Sequence, residues 1–110
     1  MTDPRLRPLV DIAGLMRDEA LAGLSREVQA CADLRARLAA LEAGRPADPV
    51  VSPAALEAAV LLHERWVASR RRQLNEQLAL RTAARLEAET KARAAFGRAQ
   101  VLERLSRMRR

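Results

Sequence analysis

Few residues of this chain could do chemistry, and they are scattered. His63 is the one histidine; it adjoins Glu64, and Trp66 follows about one helical turn later. An imidazole beside a carboxylate can move a proton, but catalysis also needs a second functional group and a concave site to hold substrate. No second histidine and no serine or cysteine nucleophile pattern stands near it. The expectation is therefore no catalytic residue and no enzyme, with His63 reading as a seam or partner-contact histidine. Cys31 is the one cysteine, so no intrachain disulfide and no Cys/His metal set can form. A small thiol on an apolar helical stripe reads as a core filler. Neither a metal nor a cofactor is expected.

The cations are the more telling group. Arginine outnumbers lysine 19 to one, Lys91 being the exception. Either the guanidinium fork is used for carboxylate or phosphate recognition, or a GC-rich genome encodes most cations as arginine. Arg70, Arg71 and Arg72 form a compact triplet, and Arg98, Arg104, Arg107, Arg109 and Arg110 make a basic tip. Charge runs are usually solvated surface. No aromatics are interleaved for base stacking and no zipper follows a basic region, so acidic protein surface suits these arginines better than nucleic acid. Trp66 carries two readings at this stage: a cap on a helical seam, or an interface anchor of the kind enriched among binding hot spots.

The elements that must position these residues are helices. From Pro53 to Arg110 the chain has no further proline and one glycine, Gly97, among mostly Ala, Leu, Arg and Glu. Such a run predicts one long helix over about residues 53–107, roughly 80 Å if straight at about 1.5 Å per residue. A first helix is predicted over about 8–43, with Pro8 in its first turn and Gly44 beyond its end. Its apolar positions are Ile12, Met16, Ala20, Leu24, Val28, Cys31, Leu34, Leu38 and Leu41, stepping by four or three. Gly14 and Gly23 weaken its first half by roughly 1 kcal/mol each relative to alanine.

Residues 44–52 hold the breakers Gly44, Pro46 and Pro49 and end in Ser52 before Pro53, a serine N-cap with proline in the first helical position. A connection this short predicts antiparallel neighbours. In helix two the apolar positions run from Leu56 to Val67, thin to Leu74, Leu78, Leu80 and Leu86, and return as Ala92, Ala95, Phe96, Ala99, Leu102 and Leu105. The first group should pack on the end of helix one, while the last three to six turns of the longer helix should project bare.

The fold class is thus all-α, a single antiparallel two-helix coiled-coil hairpin over residues 1–110 with a long overhanging second helix. One Phe, one Trp and no Tyr leave little to anchor a compact core, and the Ala, Leu, Arg and Glu content suits coiled coils. Charge follows the elements: seven arginines against eight acids give −1 over residues 1–51, and 13 cations against six acids give +7 over residues 52–110. The lone Cys31 fits a reducing, cytosolic setting, and neither an apolar signal core nor a run of roughly 20 apolar residues is present to export or insert the protein.

The stretch Arg70-Arg-Arg-Gln-Leu-Asn-Glu-Gln-Leu78, followed by Ala95-Phe-Gly-Arg-Ala-Gln-Val-Leu-Glu-Arg-Leu105, resembles the second helix of the flagellar export stalk proteins. That is the FliJ family, to which the YscO proteins of injectisomes are related. The resemblance implies an antiparallel coiled coil like the central stalk of a rotary ATPase, working in flagellum biogenesis and type III protein export. The implied partners are the hexameric export ATPase, the cytoplasmic domain of the export gate protein and unloaded export chaperones. The implied place is cytoplasmic, peripheral at the inner face of the cell membrane. The family's gate-contacting face would correspond to Ala59, His63, Trp66 and Arg70, and the part facing the ATPase ring to Arg93, Arg98, Arg104 and Arg107. Two other classes remain open: a generic coiled-coil scaffold that self-associates, and a small basic nucleic-acid-associated protein.

Overall fold

The computed structural model describes residues 4–44 and 52–108. The fold is all-α, with two long helices: α1 spans Arg7–Ala43 and α2 spans Pro53–Met108. Neither glycine in the first half of α1 breaks it, and α2 is a single helix through its charged middle. The start of α1 is secured by the Val10 amide donating to the Leu6 carbonyl at 2.8 Å, and Pro8 sits in the first turn, where no amide donor is needed. At its end the Gly44 amide donates to the Ala40 carbonyl at 3.1 Å, without a left-handed turn. Ser52 caps α2 as its sequence position requires: its hydroxyl accepts from the Ala55 amide at 3.3 Å, with Pro53 next in line. The expected breakers Pro46 and Pro49, the arginines Arg109 and Arg110, and the first three residues lie outside the described residues.

Contacts divide the chain into two compact units: residues 1–29 with 82–110, and residues 30–81. In the first unit, Leu9 and Ile12 line a groove with Arg98 and Leu102, while Gly23 and Glu27 line another with Ala84 and Ala88. In the second, Leu34 shares a groove with Gln77 and Arg81, and Leu41 shares one with His63 and Trp66. Within each unit the α2 numbers fall as the α1 numbers rise, so the two helices run antiparallel.

The seam keeps strict heptad spacing. On α1 it passes through Val10, Ala13, Arg17, Ala20, Leu24, Glu27, Cys31, Leu34, Leu38 and Leu41, all buried or half-buried. Its second half is the stripe expected from the sequence. In its first half only Ala20 and Leu24 match that stripe: Ile12, Met16 and Val28 are exposed. The physical reason is angular. Four consecutive steps of four residues each drift by roughly 40°, which carries Val28 roughly 160° round the helix from Ile12, whereas alternating three and four holds one face. On α2 the seam takes Leu74, Leu78, Arg85, Ala88, Ala92, Ala95, Ala99, Leu102 and Ser106, and leaves Leu80, Leu86, Phe96 and Leu105 outside.

The overhang is also placed differently from expectation. The final turns of α2 are packed, with Ala95, Ala99 and Ser106 buried. The unaccompanied stretch is at the start of α2. Glu42, one residue from the end of α1, pairs with Arg71, and residues 53–62 are exposed throughout. Of the residues expected to pack on the end of α1, Leu56, Ala59, Val60, Leu62 and Trp66 are exposed, whereas His63 and Val67 are half-buried. Antiparallel pairing from the chain ends inward puts the length difference of the helices beside the connection.

Candidate functional site

In the second unit, the face expected from sequence is built by α2 where it meets the end of α1. His63 and Trp66 lie one turn apart and their rings stack, with centroids 6.0 Å apart and planes at 29°. Trp66 keeps 58% of its surface exposed, so it does not close the seam; His63 is half-buried. Arg70 follows a turn later and donates to the Gln73 side chain at 3.4 Å. Together with Leu41 and Gly44 from the end of α1, these three side chains border an open groove of about 360 Å³. Ala59, the fourth expected residue, is exposed one turn earlier and does not border the groove.

The groove has a floor and a clamp. Leu74, at 1% exposure, is one of the two largest fully buried side chains; Cys31, at 0%, is the other, which bears out its role as a filler. One turn before Leu74, Arg71 donates from Nε to the Glu42 carboxylate at 2.7 Å, linking α2 to the last turn of α1. The arginine triplet is thereby split: Arg71 pairs with Glu42 of α1, Arg70 borders the groove, and Arg72 is exposed. Chemically the arrangement offers a flat aromatic surface, an imidazole and a guanidinium in a row, suited to binding rather than to proton transfer.

In the first unit the four expected arginines do not share one face. At roughly 100° per residue, Arg93, Arg104 and Arg107 fall within an arc of roughly 60°, and Arg98 lies at least roughly 120° from each of them. All four are exposed. Arg93 and Arg98 both line an open groove of about 480 Å³ together with Gly97 and Val101. Other arginines of this unit are committed: Arg17 to Asp18 at 3.3 Å, Arg26 to Glu19 at 3.8 Å and Arg85 to Glu89 at 3.3 Å.

Sequence reasoning missed a further feature of this unit. Because alanines occupy the seam, the large apolar side chains flank it: Leu9, Ile12 and Met16 on α1, Val101 and Leu105 on α2. Strict heptad bookkeeping would have found them, since they sit one position off the seam. Among the described residues no group of three or more His, Cys, Asp or Glu side chains is placed to hold a metal ion, and no helix is long and apolar enough to cross a membrane. No protein-family model matches the sequence, and no curated protein or solved structure matches it either.

Proposed function

We propose that this protein is a stalk component of a flagellar or related type III export apparatus, coupling a hexameric export ATPase to the cytoplasmic domain of the export gate and escorting export chaperones. The observation that carries this reading is the His63–Trp66–Arg70 row, with Trp66 exposed and its two neighbours half-buried, lying on the motif-bearing helix beside the end of α1. Positioned there, an aromatic ring and a guanidinium form a ready anchor for a partner surface. Ala59 extends the same face by one turn.

On the other unit, Arg93, Arg104 and Arg107 supply a cationic face for carboxylates lining an ATPase ring, with Arg98 on another side of α2. The work done is mechanical and electrostatic. A helical pair seated in a ring meets each subunit differently, so nucleotide state and stalk orientation bias one another reciprocally. Such a protein has no cofactor, needs no nucleic acid, and works in the cytoplasm against the membrane-embedded export gate.

Trp66 provides its own reporter, being the one tryptophan. Titration with the purified cytoplasmic domain of the gate protein should shift and enhance Trp66 emission as the ring leaves water, and Trp66→Ala should weaken binding by roughly 2 kcal/mol or more. Unchanged emission at saturating gate domain argues against the reading.

A further inference from the structure

The apolar residues flanking the seam of the first unit form a surface that nothing in the stalk reading uses. Leu9, Ile12 and Met16 recur at three and four residues on α1, and with Ala95 and Leu102 of α2 they line an open groove of about 170 Å³. Val101 adjoins Leu102 on the α2 side, and Leu105 falls one heptad beyond Arg98 on the same side of the helix. Ile12 and Val101 are each more than half exposed. Single exposed apolar side chains are ordinary, but a contiguous strip over two helices marks a contact surface.

Arg98 says what kind of partner fits. It borders this groove and the shallower one beside it, yet no carboxylate of the described residues lies within ion-pair distance of it, whereas Arg17, Arg26 and Arg85 each hold one. A second copy of the chain is poorly matched: the described part of this unit has ten basic against seven acidic residues, net +3, so a copy would bring like charge to the face.

We propose that this groove docks an amphipathic helix of an acidic partner, with apolar side chains at three- and four-residue spacing against Leu9, Ile12, Met16 and Leu102 and a carboxylate on Arg98. The helix-in-groove mode needs an apolar stripe of that spacing, and the alanine seam leaves the groove floor low enough to receive it. This inference goes beyond the stalk reading and stands without it, since neither the gate domain nor the ATPase enters the test.

The probe is a labelled synthetic helical peptide with leucine at the heptad core positions and glutamate at the flanking ones, compared by fluorescence anisotropy with its isomer carrying lysine in place of glutamate. The glutamate peptide should bind about tenfold more tightly, the size of one charge-assisted hydrogen bond. Arg98→Glu should remove that preference, and Ile12→Ser should weaken the glutamate peptide; both sites are exposed, and circular dichroism checks that each variant remains helical. Equal binding of the two peptides, no binding of either, or an unchanged preference in Arg98→Glu overturns the proposal. Sedimentation of the protein alone as a dimer that Ile12→Ser dissociates also overturns it, by assigning the face to a second copy.

Discussion

Leu74 and Leu80 stand six residues apart on one helix and make opposite contributions. Leu74 is 1% exposed at the centre of the second unit, and Leu80 is 73% exposed. Leu74→Ala should cost about 2–4 kcal/mol, combining lost transfer energy with an unfilled space between two helices that cannot collapse fully. Leu80→Ala should fall within about 0.5 kcal/mol of the parent. Urea titration followed by circular dichroism separates the two, and equal effects would mean that the seam register is wrong. The Arg71–Glu42 pair is short but open to solvent on both sides, with 42% and 58% of the side chains exposed. Glu42→Ala should therefore cost less than about 1 kcal/mol, and less still at high salt.

The helices themselves were largely legible from residue order. Pro8, Gly44, Ser52 and Pro53 are local signals, and each falls within a residue or two of a helix end in the structure. Seam register was only half legible. From Cys31 to Leu41 large apolar residues coincide with the heptad positions, so reading leucines finds the seam. In the first unit, alanines share those positions with Arg17, Glu27, Arg85 and Ser106, while Ile12, Met16, Phe96 and Leu105 stand beside them. Ala20, Ala92, Ala95 and Ala99 were legible as apolar positions, but only the angular period separates them from the larger side chains beside them. The placement of the overhang required knowing which ends pair, which is a tertiary fact. Of the candidate face, His63, Trp66 and Arg70 were legible because they share one side of a single helix. The split of the four arginines follows from the same angular arithmetic that moved the seam.

Two further outcomes belong to α2 as an element. A Cβ added at Gly97 meets no atom within 4 Å, so Gly97→Ala should stabilise the protein by about 1 kcal/mol through backbone entropy alone, seen as a higher melting temperature. Ser52→Ala removes the acceptor for the Ala55 amide and should cost about 1 kcal/mol. Its hydrogen-exchange signature should be faster exchange confined to the first turns of α2, where α1 offers no support.

For the whole molecule, a net charge of +6 is carried almost entirely by the second helix. Charge of this kind governs encounter with acidic partners more than it governs folding. Association with an export ATPase through Arg93, Arg104 and Arg107 should weaken as ionic strength rises, because exposed charges are screened beyond about 8–10 Å at physiological salt. The stalk reading rests on two surfaces with separate duties. Replacing those three arginines by glutamate should impair coupling to the ATPase and spare gate binding, and Trp66→Ala should do the reverse. The most direct measurement is the ATP hydrolysis rate and hexamer population of the cognate export ATPase with and without this protein. The account expects saturating protein to raise one or both, in a manner sensitive to the Arg93/Arg104/Arg107 substitutions; no change in either quantity would contradict it.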